Sequence, residues 1–167
     1  DADVKLERRP AFSPLEAALE QTAVAARDGV LAAMDELAPH RAIEALWTLC
    51  RAANKYVDEA APWSAAKKGE DARVDAILGT LLEALRWISV LLWPFMPLAS
   101  AAMRAQLGLS VLTPKVAAEG PDLLLLQFED SVSTKGLTTG TPIFPKIDPD
   151  RQAAIFAKLG ITDAAEG

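Results

Sequence analysis

Cysteine and histidine each occur once in the 167 residues, as Cys50 and His40, and this scarcity excludes more chemistry than any other property of the chain. A single thiol permits no internal disulfide and no cysteine-only zinc site, and one imidazole beside it permits no Cys/His metal cluster. Any Ser-His or Cys-His machinery is confined to His40, which follows Pro39 at a helix start and suits a surface or capping role. Glycine is sparse and wrongly spaced for phosphate binding: Gly136 and Gly140, in STKGLTTG, fit neither a Walker loop nor a dinucleotide fingerprint. Basic charge is in deficit, 17 Lys+Arg against 23 Asp+Glu for a net −6, which argues against strong sequence-independent binding to nucleic acid, and no DNA partner is expected. A local site reading a few bases stays open. The longest uncharged run, Trp87 to Met103, is interrupted by Pro94 and Pro97 and does not read as a membrane span. The first ten residues, DADVKLERRP, are charged throughout and hold no secretory signal, so the expected location is cytoplasmic with no membrane partner. The chain opens on Asp1 rather than methionine, as a piece of something longer would.

What is present is a core and a helical period. With 51% hydrophobic and 24% charged residues the chain is expected to bury one domain's core. Ser13-Pro14-Leu15-Glu16 predicts a helix start with a capping box, running to about Leu37 with Gly29 as a weak point. Pro39 predicts a second helix to about Ala60, with Ile43, Leu46, Trp47, Cys50, Ala53 and Val57 on its apolar face and Arg51, Lys55 and Asp58 opposite. A third is predicted from about Glu70 to Leu92, with Val74, Ile77, Leu78, Leu81, Leu85, Ile88 and Leu92 inward and Glu83 and Arg86 on the far side. A fourth begins near Pro97 and stops at Gly108. Residues 110–148 read as an irregular tether or short strand with one apolar run, Leu123 to Phe128, and Asp148 to Leu159 reads as a short helix before a tail. The fold class is all-α, a helical bundle of four to five helices with an irregular C-terminal tether. The division expected is a domain over 1–148, its tether starting at about 110, then a helix and tail over 149–167.

No catalytic constellation stands out. Carboxylate neighbours such as Asp35-Glu36, Asp58-Glu59 and Glu129-Asp130 diverge on a helix and read as solvated charges. Trp63 directly follows Pro62 in a predicted loop. It is either a plug of the bundle end or a stacking platform for an unpaired base. Asn54, the only asparagine, reads as a buried structural amide that satisfies backbone groups of the following loop. Residues 41–68 carry a local basic excess from Arg41, Arg51, Lys55, Lys67 and Lys68, either a solvated face or the cationic rim of a small RNA site.

The segment RAANKYVDEAAPW, Arg51 to Trp63, with Ser64 to Lys67 after it, resembles a segment of bacterial methionyl-tRNA synthetases. LLWPFMP (Leu91 to Pro97) with Leu107-Gly108, and TPIFPKID (Thr141 to Asp148), agree with that family in order and spacing. The resemblance covers about residues 13–148. It implies the helical anticodon-binding domain of a class I aminoacyl-tRNA synthetase, whose partners are methionine tRNA and a catalytic domain of the same protein. It implies no cofactor in this chain, ATP belonging to the catalytic domain. The family's proline-linked tryptophan, which helps bind splayed anticodon bases, falls on Trp63. From proximity, Arg51, Lys55 and Lys67 are expected to hold phosphates, with Asn54 and Pro62 structural. The family's Asn-x-x-x-Arg readers, the His-Ile-Gly-His and Lys-Met-Ser-Lys-Ser motifs and the zinc knuckle have no counterpart here, so these residues alone are expected not to aminoacylate. The alternative is a free-standing synthetase-like module that binds RNA or, through an apolar groove, a protein partner, a reading favoured by the acidic balance, the missing Asn/Arg readers and the off-stripe Trp87 and Trp93.

Overall fold

The computed structural model of the chain describes residues 3–8, 11–109, 127–129, 131–135, 137, 140–145 and 148–159. Helix α1 spans Pro14–Asp35, and its capping box is complete: the Ser13 hydroxyl accepts from Leu15 N at 3.3 Å, while the Ser13 N–H donates to Glu16 Oε2 at 2.7 Å. Leu37, just past its end, takes a left-handed φ of 54° and turns the chain into α2, Pro39–Ala60. The short connection makes α1 and α2 antiparallel neighbours. Gly29 lies at their contact, where an added Cβ would stand 3.1 Å from that of Ala45. The predicted weak point is thus a close approach between two backbones.

Packing turns α2 slightly from the face expected. Its buried residues are Ala42, Leu46, Leu49, Ala53 and Tyr56, while Trp47 is 57% exposed and Ile43 is also at the surface. Small side chains on α1 (Ala23, Ala26, Ala33) and α2 (Ala42, Ala53) let the helices nest along an alanine-rich seam. Alanine contributes little to a hydrophobic pattern, so the larger Ile43 and Trp47 mark the wrong edge.

Ala61 and Pro62 end α2 as expected, but the chain does not become a loop there. A short helix, α3, spans Pro62–Lys68, and α4 follows over Asp71–Leu92. The predicted outward face of α4 is a second correction: Glu83 is fully buried and Arg86 half-buried. The cause is a two-stranded antiparallel ribbon, whose second strand falls in the segment read as tether or short strand and whose first strand the helical reading omitted. Strand β1 (Asp3–Glu7) pairs with β2 (Ser131–Lys135) in a register running from Asp3 opposite Lys135 to Glu7 opposite Ser131. Together with residues 127–129, the ribbon covers the side of α4 that carries Gly79, Thr80, Glu83 and Trp87. Trp87 has no exposed surface and packs on Phe128 with ring centroids 4.9 Å apart, so it is core and lines no groove.

Arg8 fastens the ribbon to the bundle. Its fully buried guanidinium donates to Thr80 Oγ1 at 3.1 Å, pairs with Glu20 and donates to the Glu129 carbonyl, with the Phe128 ring 5.0 Å away. Arg86 donates to the Gln127 carbonyl at 2.7 Å and to Glu83 at 2.7 Å, and Glu83 accepts from the Glu129 N–H at 3.1 Å. Helix α5 (Pro97–Gln106) packs on α4, where Ser100 donates to the Ser89 carbonyl at 2.7 Å. Gly108, with φ of 66°, supplies the left-handed residue expected after α5, and α6 spans Pro149–Leu159. The helical bundle is therefore the fold, with a ribbon added. Leu123 to Leu126 of the apolar run, and Lys146 and Ile147 of TPIFPKID, lie outside the described residues. Among the described residues no helix is long and apolar enough to cross a membrane.

Candidate nucleic-acid interface

The corner carrying Trp63 is built by one left-handed residue. Ala61 has φ of 45° and ψ of 63°, donates its N–H to the Val57 carbonyl at 3.1 Å and caps both α2 before it and α3 after it. A side chain in that region costs about 1–2 kcal/mol, so the surroundings must impose it. Pro62 then fixes the first φ of α3 and has no N–H to leave unpaired. Gly69, with φ of 72°, closes α3 one residue past its end. Within α3 only Ala65 is buried; Ser64, Ala66, Lys67 and Lys68 point to solvent. Trp63 is 51% exposed, so the indole is neither a plug of the bundle end nor a fully free ring. About half of its surface is therefore accessible to a flat ligand.

The expected cations occupy different situations. Arg51 is exposed on α2 and donates to Thr48 Oγ1 at 3.1 Å; Lys55, one turn on, is engaged with Glu59 at 3.5 Å. At 1.5 Å per residue, Lys55 sits roughly 8 Å and Arg51 roughly 14 Å before the end of α2. Lys67 is exposed in the last turn of α3, on the same short helix as Trp63. Asn54 is exposed on α2, so the buried amide expected there is not found. It shares the outward face with Trp47 and Arg51 because these positions recur at helical spacing opposite the buried stripe. Pro62 is half-buried and holds the structural place assigned to it.

Behind this corner lies a cluster that the sequence reading did not identify. Glu16, in the first turn of α1, is fully buried. Its Oε1 accepts from the Tyr56 hydroxyl and from Arg73 Nη1 at 2.9 Å, and its Oε2 accepts from the N–H and hydroxyl of Ser13. Arg73 Nη1 also donates to the Ala11 carbonyl at 2.9 Å. Burial alone pushes the Glu16 carboxyl up, but hydrogen bonds from Arg73, Ser13 and Tyr56 outweigh it and hold the group at about 2. Burial, and then the Glu16 charge, push the Tyr56 phenol above its ordinary range. Glu83 goes the other way: burial raises its carboxyl, and Arg86 and the Glu129 N–H compensate only in part. One signal for the cluster was available, since Tyr56 falls on the buried stripe of α2 and a buried phenol needs a partner.

The sequence profile of a family described as the anticodon binding domain of methionyl tRNA ligase matches residues 9–161. A methionine–tRNA ligase from Streptococcus pyogenes serotype M1 is 39% identical over 127 residues, covering 74% of this chain and 18% of that protein. The corresponding ligase from Clostridium perfringens is 35% identical over 147 residues, covering 87% of this chain and 22% of that protein. Among solved structures, the free-state methionyl-tRNA synthetase of Mycobacterium tuberculosis superposes with a TM-score of 0.71 at 26% identity, over 87% of this chain and 28% of that chain. The chain thus spans about a fifth of the length of the curated relatives it matches. The matched profile, the helical architecture and the Ala-Pro-Trp corner agree, and the chain belongs to the family of methionyl-tRNA ligase anticodon-binding domains.

Proposed function

We propose that this domain docks the anticodon of methionine tRNA for ATP-dependent aminoacylation by a catalytic domain of the same polypeptide. The observation that carries the reading is Trp63, half-exposed on a short helix whose entry is fixed by Ala61 and Pro62. An indole half open to solvent offers an unpaired base a stacking surface, a contact worth on the order of 1–3 kcal/mol. Stacking does not choose a base, so selection of the anticodon requires hydrogen bonds to base edges from elsewhere in the enzyme. Lys67 is the best-placed phosphate partner, because it shares α3 with Trp63. Arg51 and Lys55 extend the cationic rim along α2, with Lys55 weakened by its pairing to Glu59. ATP, methionine and the acceptor end of the tRNA fall to the catalytic domain in this reading.

The protein-groove alternative drew on the acidic balance, the missing Asn/Arg readers and Trp87 and Trp93; of these, Trp87 is buried and lines no groove. The experiment is titration of a CAU anticodon stem-loop onto the intact enzyme and onto Trp63→Ala. The expected result is a loss of about tenfold or more in affinity with the fold unchanged by circular dichroism. Equal affinity overturns the assignment of Trp63, and salt-insensitive association overturns RNA docking itself.

A further inference from the structure

We infer that Glu16, acting through Tyr56 and Arg73, is a positioning residue for the Trp63 platform; the inference rests on the stacking reading above. Helix α3 has seven residues and one buried side chain, too little to define its own orientation. Its direction is therefore set by its two abutments, the end of α2 and the start of α4. Tyr56 lies in the last turns of α2, and Arg73 lies in the first turn of α4. Both donate to the same oxygen, Oε1 of Glu16, so one carboxylate spans the two abutments. The other oxygen is taken by Ser13, which locks the carboxylate to the start of α1. The Arg73 bond to the Ala11 carbonyl adds the segment before α1 to the same knot.

A buried ion pair adds little stability compared with apolar residues of the same volume, whereas its hydrogen bonds fix direction. Apolar packing at this end would hold α2 and α4 together without defining their mutual rotation to the degree that fixed donors and one acceptor do. Rotation of either abutment moves Ala61 or Gly69, the left-handed residues between which α3 is suspended. A small turn at Glu16 is thus delivered to the indole of Trp63.

The test uses the protein labelled with 5-fluorotryptophan, its indole resonances followed by fluorine NMR and those of Trp63 and Trp87 assigned from Trp63→Phe and Trp87→Phe. In Tyr56→Phe and in Glu16→Gln, the Trp63 resonance is expected to shift or broaden while that of the core residue Trp87 stays in place. Stem-loop affinity is expected to fall by about threefold to tenfold in Tyr56→Phe, and the double variant with Trp63→Ala is expected to lose no more than Trp63→Ala alone. An unmoved Trp63 resonance in Tyr56→Phe overturns the inference. Equal and additive losses in the presence and absence of Trp63 also overturn it, since they are the mark of general destabilisation. If Glu16→Gln does not fold, Tyr56→Phe decides alone, because it removes a single hydroxyl. Failure of the stacking reading is separate: Trp63→Ala would then bind RNA normally, while the fluorine spectrum still reports whether Glu16 sets the indole.

Discussion

A Cβ added to Gly79 would stand 2.8 Å from Cγ of Arg8, so the middle of α4 is shaped around the stem of one arginine. Cγ is near the Arg8 backbone, and its guanidinium is held by Thr80, Glu20 and the Glu129 carbonyl, so the side chain has nowhere to swing. Gly79→Ala is expected to destabilise by about 1–3 kcal/mol through overpacking, against the gain of up to about 1 kcal/mol that alanine normally brings a helix. Thermal denaturation checks the sign, and a rise in melting temperature would contradict the close approach.

The buried carboxylate Glu16 should reveal itself through acid. Its folded value is about 2 against 4.5 for the free group, so it contributes stability above pH 4.5 that is lost as pH falls through 2. That shift corresponds to roughly 3 kcal/mol at neutral pH. The stability gap between wild type and Glu16→Gln is expected to be widest above pH 4.5 and to close toward pH 2. Urea midpoints measured across that range test it.

Glu83 should behave in the opposite sense. Burial raises its folded value, so its favourable contribution is present below the unfolded value of 4.5 and is lost as pH rises through the raised one. Glu83→Gln keeps an oxygen for the Glu129 N–H and is expected to cost far less at neutral pH than Glu16→Gln. The gap between wild type and Glu83→Gln should widen on acidification. Identical pH trends for the two variants would refute the contrast.

Leu37 carries a left-handed φ of 54° with its side chain 88% exposed, so it bears backbone strain without the return of burial. Leu37→Gly is expected to raise stability by about 1 kcal/mol, since glycine occupies that region without steric cost. Unchanged or lower stability in guanidinium unfolding would show that the turn is not strained.

For the nucleic-acid interface, Lys67→Ala is expected to reduce the slope of log affinity against log salt by about 0.7 for the stem-loop, one single-strand phosphate contact. Lys55→Ala should reduce it by less, because Lys55 is partnered by Glu59 at 3.5 Å. Salt titrations of the two variants rank the cations directly.

Helix limits were legible in the sequence because they are written in local chemistry: Ser13 and Glu16 close a capping box, Pro39 and Pro97 open helices, and Gly108 ends one. The faces of those helices were less legible. Tertiary contacts with the ribbon bury Glu83, and an alanine seam turns Ile43 and Trp47 outward, neither of which periodicity alone can express. A short strand within 110–148 was one of two readings, and β2 bears it out; β1 and the pairing were hidden because β1 is short and charged and its partner is far along the chain. At the candidate site, Ala-Pro-Trp announced the corner, but the helix beneath Trp63 and the carboxylate behind it depend on Tyr56 and Arg73 meeting from separate helices.

The strap across α4 has a kinetic meaning. Arg8 and Glu129 are separated by 121 positions, so joining them closes a long loop of the polypeptide. Such a closure is entropically unfavourable until the intervening helices have condensed, whereas α1 and α2 meet across a short turn. The strap is therefore expected to assemble last and to detach first. Its amide protons are expected to exchange with solvent ahead of those in α1 and α2, and a detachment would wet the side of α4 where Trp87 and Glu83 are sealed.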